Sequence, residues 1–305
     1  MIQRRLKCIC CDHELQSTPA MAGGLSVHNE LERLRRAWVG MECRDFFPYF
    51  RCVICGTLNV SEYPDSQDVN SLYSSMPANM EGCVGERYQR LNQRRYAQTI
   101  ARFHRKSEKE GLRVIELGAD RGFLLHYLNQ FLPGRLAAVD AVEPNADVGM
   151  QLSCELARIG SHCRIASSLE EATQAMSNPI DLLIGIHVFD HLFALADLFA
   201  LLIPHLSEQA AIFFVVHNPD SLLARVMGCS WPAYSAQHPQ LLTPSGVRHL
   251  AHRFGMKIVQ TGRTWNYFPM SMVTGYLGLP IPFVQRTPFL APLGNRYYLL
   301  KRWSS

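Results

Sequence analysis

Four cysteines stand as two Cys-x-x-Cys pairs, Cys8 with Cys11 and Cys52 with Cys55. That spacing puts two thiolates on one tight turn, and two such turns complete a tetrahedral zinc site with no coordination position left open. Such a site is structural, not catalytic. Gly56 follows the second pair, where a small residue lets backbone amides turn toward the thiolates. The 40-residue gap between the pairs exceeds the usual spacing and must accommodate an inserted helix, 28–41. Cys10, Cys43 and His13 are alternative ligands at this stage.

A second constellation lies where the run LRVIEL passes into GADRG and then into FLLHYLNQFL. Gly118 allows a tight turn and close approach of the backbone to a ligand, and Gly122 opens a helix whose free amides face it. Glu116, two residues before Gly118, would repel the pyrophosphate that dinucleotide sites place on such a turn. Twenty-one residues after Gly122 comes Glu143, at a strand end closed by Pro144, where a carboxylate can accept hydrogen bonds from both ribose hydroxyls. Asp140 competes for that role but falls inside the predicted strand. Two acids, one after each of the first two strands, fit a nucleoside with a positive centre and no phosphates. S-adenosylmethionine is such a ligand.

Methyl transfer from a sulfonium to a hydroxyl, amide or acidic carbon needs a general base near neutral pH, and histidine suits it. His238, five residues before the helix-capping Thr243, is the first choice. His191 and His217, at predicted strand-to-helix edges, follow. His249 and His252 lie on the capped helix and read as solvent or packing positions. Tyr73 and Tyr88 read as packing on a covering segment more readily than as pocket residues.

These residues need a scaffold. The 305 residues leave room for about two domains, and 48% hydrophobic with 18% charged residues exclude a disordered chain. The formal charge of +4 is too small to announce nucleic acid. With neither a signal peptide nor 18 consecutive apolar residues, the chain reads as soluble and cytoplasmic, where clustered cysteines bind metal more often than they form disulfides. Segment 1–62 forms a zinc-binding domain, and 63–110 a connecting helical cover. From 111 to 305, short β-rich runs alternate with amphipathic ones. Strands are expected at 112–117, 136–143, 162–166, 180–187, 210–217, 256–263 and 296–301, with helices at about 121–131, 146–159, 168–176, 191–203 and 244–254. That alternation predicts an α/β fold with a doubly wound, seven-stranded parallel sheet.

Residues 113–263 resemble the Rossmann-like, class I S-adenosylmethionine-dependent methyltransferases. Their acid-x-Gly-x-Gly-x-Gly pattern is carried as Glu116-Leu-Gly118-Ala-Asp120-Arg-Gly122, with Asp120 in place of the middle glycine. The resemblance implies that Asp120 meets the methionine ammonium and that His191 matches the histidine after the fourth strand. His187, closing that strand, joins the cofactor-binding set. A third cofactor contact near Ser167 or Ser168 is not recognisable. With the cysteine segment included, the chain is similar to zinc-bearing methyltransferases that include nucleotide-deoxysugar C-methyltransferases. Those carry Tyr-x-Glu-His where this chain has Ser235-Ala-Gln237-His238. The histidine is kept and its two partners are not, which favours another small acceptor, such as a natural-product intermediate. Two competing readings are an RNA methyltransferase gripping its substrate with Arg33, Arg35, Arg36 and Arg87, Arg90, Arg94, Arg95, and a non-catalytic protein using the fold for interaction.

Overall fold

The computed structural model describes residues 2–39, 45–74, 83–105, 111–160, 162–174, 179–270, 288–292 and 294–303. Seven strands form the main sheet: β1 (Leu112–Leu117), β2 (Leu136–Val142), β3 (His162–Ala166), β4 (Ile180–Ile186), β5 (Leu206–His217), β6 (Met256–Arg263) and β7 (Asn295–Arg302). Their order is β6-β7-β5-β4-β1-β2-β3. The pairs β1–β2, β2–β3 and β4–β5 are parallel, and the central β1 and β4 are near-continuous apolar runs, as strands covered on both faces must be.

Two departures from the expected pattern have physical causes. β7 runs antiparallel to β5, in register from Asn295↔His217 to Lys301↔Ala211. A parallel return needs a helical crossover, and the proline-broken stretch before β7 is a poor source of one. Its described ends instead form a hairpin, Asn266–Pro269 against Pro288–Ala291; residues 271–287 lie outside the described ones. β5 also starts at Leu206 and not at 210, because Leu206, delivered by the short 3-10 turn Ile203–His205, pairs with Ile180, and the polar Ser-Glu-Gln stretch bulges before pairing resumes at Ala211.

The chain falls into two compact units. One comprises Pro77–Met176 and Arg263–Leu293. It contains β1 to β3 and the 22-residue helix Cys83–His104. That helix holds the hairpin through Asn92, which accepts from the Tyr267 amide at 2.6 Å and donates to its carbonyl at 3.1 Å. Arg90 pairs with Glu86 and Glu155 and lies over the Phe123 ring, and Arg95 lies over Tyr267.

The other unit comprises Met1–Met76, Ser177–Gly262 and Gly294–Ser305. Here the N-terminal segment shares one aromatic core with the stretch after β5: Trp38, Phe47, Tyr49, Tyr63 and Leu72 are buried with Trp231, Tyr234 and Leu241. Strand Gln240–Leu241 pairs with Leu58–Val60, which pairs with Tyr49–Arg51. Helix Pro244–Arg253 begins at Thr243, whose hydroxyl accepts from the Gly246 amide at 2.9 Å, the cap its sequence predicts. The same hydroxyl donates to the Cys55 carbonyl at 2.5 Å. Gly246 is the contact point, since a Cβ there would stand 2.0 Å from Thr57 Oγ1 and 3.3 Å from Cys10 Sγ. Gly246→Ala should therefore lower unfolding free energy by about 1–3 kcal/mol, the usual cost of overpacking. An unchanged midpoint in denaturant would show that the helix does not bear on the cysteine turn this tightly.

Candidate active site

The acids of the glycine loop converge at the carboxyl ends of β1 and β2. Glu116 is 2% exposed, and its Oε2 has no hydrogen-bond partner. Burial, and then the charges of Asp120 and Glu143, push its carboxyl well above the ordinary range. Glu143 is oriented by two amides: Oε2 accepts from Asp120 N–H at 2.8 Å and Oε1 from Asn145 N–H at 3.0 Å. Burial raises Glu143 and Asp120 as well. Three carboxylates pushed toward protonation mark a place short of positive charge, which a sulfonium and an ammonium would supply.

The departure at Asp120 leaves the backbone of the loop intact. Gly118, Asp120 and Gly122 all take positive φ, at 64°, 47° and 75°. Aspartate is among the side chains that tolerate this region, so the residue changes while the turn does not. Gln89 donates to Asp120 Oδ2 and steadies it. Gly122 is less replaceable, because a Cβ there would stand 2.8 Å from Leu152 Cδ1. Asp140 is engaged elsewhere, in an ion pair with Arg164 at 2.8 Å. Ser167 donates from both its amide and its hydroxyl to Glu171 Oε2.

In the other unit, His187, His191, His217 and His238 assemble from three separate stretches. His187 follows β4 directly, His217 ends β5, and His238 sits in the turn after Ser235. Ring centroids lie 4.6 Å apart for His187–His217, 4.8 Å for His217–His238 and 4.5 Å for His191–His238. His238 Nδ1 lies 2.7 Å from the Ala233 carbonyl and so carries the proton, leaving its Nε2 as acceptor 3.1 Å from His191 Nε2. His191 therefore donates from Nε2 and accepts at Nδ1 from the Tyr73 hydroxyl, 2.7 Å away. The result is a directed chain, Tyr73 to His191 to His238 to Ala233. Burial holds His191 well below its ordinary value and brings His238 down to about 3, so both rest neutral. His217 Nδ1 lies 2.8 Å from Asp190 Oδ2.

All three histidines expected as bases thus come together, and His187 stands with them. Two members were not singled out from sequence. Tyr73 reads there as packing, and Asp190 was passed over although it stands between two histidines in His-Val-Phe-Asp-His.

The sulfurs of Cys8, Cys11, Cys52 and Cys55 lie within 4.8 Å of one another, with Cys8–Cys55 and Cys11–Cys52 at 3.4 Å. Zinc–sulfur bonds of about 2.3 Å in a tetrahedron set sulfurs about 3.8 Å apart, so the set fits that ion. Both turns close alike, Asp12 N–H on Cys8 O and Gly56 N–H on Cys52 O. Hydrogen bonds from Cys10 and Cys8 hold the Cys55 thiol down at about 3. Cys10 is outside the converging set; it is fully buried and accepts from Thr57 Oγ1 at 3.5 Å. Cys43 lies outside the described residues.

The family described as a methyltransferase domain matches residues 88–261, more than half of the sequence. The chain belongs to that family. It is an S-adenosylmethionine-dependent methyltransferase. In fold it is similar to the magnesium protoporphyrin IX methyltransferase ChlM of Synechocystis PCC 6803, solved with SAH, at 14% identity and a TM-score of 0.52 over 78% of this chain and 100% of that one. It is similar also to the plantazolicin methyltransferase BpumL, solved with a monoazolic desmethylPZN analog and SAH, at 15% identity and a TM-score of 0.51 over 91% and 99%. No curated protein matches the sequence. No described helix of this methyltransferase is long and apolar enough to cross a membrane.

Glu116 gives the methyltransferase a pH signature. Its folded pKa is raised above the ordinary 4.5, so ionisation costs more in the folded chain, and stability is lost as pH rises through 4.5 toward the folded value. Glu116→Gln removes that loss. Without ligand, the stability of the variant relative to wild type should grow as pH rises above about 4.5, read by thermal unfolding between acid and neutral pH. Parallel pH profiles would mean that Glu116 is not strained.

Proposed function

We propose that this enzyme methylates a small-molecule acceptor, a natural-product or sugar-like intermediate, with its donor held by the glycine loop and the acceptor's proton removed through histidine. The observation that carries this reading is the trio Glu116, Asp120 and Glu143, the first buried and the others half-buried, all short of positive charge. Glu143 would hold the ribose hydroxyls, Asp120 the ammonium, and the turns at Gly118 and Gly122 would let the backbone approach. When bound, the donor supplies a sulfonium methyl for in-line displacement.

The residues' own work is proton transfer. As the acceptor's proton passes to the Tyr73 oxygen, Tyr73 gives its own to His191 Nδ1, and the His191 Nε2 proton moves onto His238 Nε2. His238 remains anchored through Nδ1 to Ala233. His217, fixed by Asp190, lies beside this chain as a further base. A small acceptor suits a protein in which Arg33 is paired with Asp45 and Arg90 with Glu86 and Glu155. The solved methyltransferases of similar fold are named for a porphyrin and for plantazolicin, which fits the same class.

Calorimetry with S-adenosylmethionine and its demethylated product tests the donor site. Glu143→Ala should weaken both by about tenfold to a hundredfold, the worth of hydrogen bonds to a charged group, in a protein that still folds. His238→Ala should leave donor binding intact and cut turnover of an accepted substrate by about 10²–10⁴. Failure of wild type to bind either ligand at about millimolar concentration, the weak end of the affinity scale, would refute the proposal.

The cysteine set is assigned one structural zinc. Cys52→Ser should remove the equivalent held by the cysteines, and both this change and chelation should lower the melting temperature. A chain that melts identically with and without metal would remove the zinc from this reading.

A further inference from the structure

A second group of metal-ligating side chains stands apart from the cysteines. One nitrogen each of His187 and His217 and one oxygen of Asp190 lie within 4.8 Å of one another. Asp190 is 0% exposed. Its Oδ2 accepts from both the backbone N–H and ring Nδ1 of His217, each at 2.8 Å, while Oδ1 has no partner. His187 repeats the pattern. Its Nε2 lies 3.4 Å from Asn295 Nδ2, and its Nδ1 is buried without a partner.

Orphaned buried polar atoms are uncommon and costly, and here two occur within one small cluster. An Nδ1 proton on His187 donated to Asp190 Oδ1 would satisfy both atoms, yet no such bond is made. His187 also holds a φ of 57°, a conformation few non-glycine residues adopt. The backbone thus keeps the imidazole at the exit of β4, close against the His217 ring. One cation would satisfy both unpaired atoms and neutralise the buried carboxylate.

We propose that His187, Asp190 and His217 hold a divalent first-row transition-metal ion through two imidazoles and one carboxylate. Nitrogen-rich ligation favours such ions over magnesium or calcium. Three protein ligands, unlike four thiolates, leave coordination free for an oxygen-bearing ligand, which the ion would polarise. The His217 amide against Asp190 is an outer contact of the kind that orients ligands in metal sites. The inference stands on these side chains and does not depend on the donor or acceptor assigned above; ligation would take His217 out of the set of free bases.

Titration of the metal-depleted full chain with Co²⁺, and separately with Zn²⁺, tests it. Two equivalents should bind, one giving the intense thiolate charge-transfer absorption of the cysteine set and one adding only weak visible bands. Asp190→Asn and His187→Gln should each abolish the second equivalent, or weaken it by about tenfold or more, while keeping the thiolate band. That band also reports that the variants are folded. Cys52→Ser should remove the other equivalent. Saturation of wild type at a single equivalent, lost only with the cysteines, would overturn the proposal and leave Asp190 as a carboxylate that only orients His217. Retention of the second equivalent at unchanged affinity in both variants would also overturn it. Calorimetry with S-adenosylmethionine on the same variants reads the donor site separately.

Discussion

The side chain of Gln240 ties together the stretches that carry the histidines. It is fully buried, donates to the carbonyls of Phe189 at 2.7 Å and Leu192 at 2.6 Å, and accepts from Arg5 at 3.0 Å. Those carbonyls belong to the turn that presents Asp190 and His191. Its backbone pairs with Asn59, two residues after His238. One amide group therefore fixes the β4 exit against the His238 segment, with Arg5 held on its oxygen. Hydrogen bonds to charged groups are worth about 1.5–3 kcal/mol, and unpairing a buried one costs as much again. Arg5 makes this acute, because burial has already lowered its guanidinium to about 10, and it is held by Gln240 and the carbonyls of Pro239 and Phe193.

The carboxylate loop rests on the opposite tactic. Where Gln240 is satisfied, Glu116 is left with an unpaired oxygen and with like charges nearby. An apolar residue would stabilise the free protein at that position. At the donor site proposed above, a cationic ligand would relieve that strain, so stability of the unliganded chain and affinity for the donor would pull against one another at one residue.

The strands were legible because each is a short apolar run bounded by glycine, proline or a polar cap, and β1, β3 and β6 have the predicted ends. Thr243 was legible as a cap and the cysteine pairs as a set, since both signals are local. The antiparallel β7 was not, because direction depends on the connection and leaves no mark on the strand itself. Tyr73 and Asp190 were missed for a related reason. Tyr73 meets His191 across 118 residues of sequence, and no periodicity announces such a contact. Asp190 stood beside two histidines, but the fold alone shows that His217 arrives from β5 to meet it. The loop at Asp120 shows the reverse case: its residue departs from the glycine pattern, yet its backbone, at φ 47°, takes the conformation that favours glycine.

The cysteine set and the histidines are joined by a short path. Cys52 and Cys55 lie between strands Tyr49–Arg51 and Leu58–Val60, and both strands grip the His238 segment. Tyr49 donates to the His238 carbonyl at 2.7 Å, and Asn59 pairs with Gln240. Each strand is three residues long, too short to hold a register by its own hydrogen bonds. A zinc ion bound as proposed would clamp the turn between them and fix that register. Its effect on His238 then needs no long pathway. The turn sets the strand, and the strand carries the hydrogen bond that holds the histidine's own backbone. This gives a closed four-thiolate site a part in positioning the histidine chain, although no coordination position on it faces a substrate.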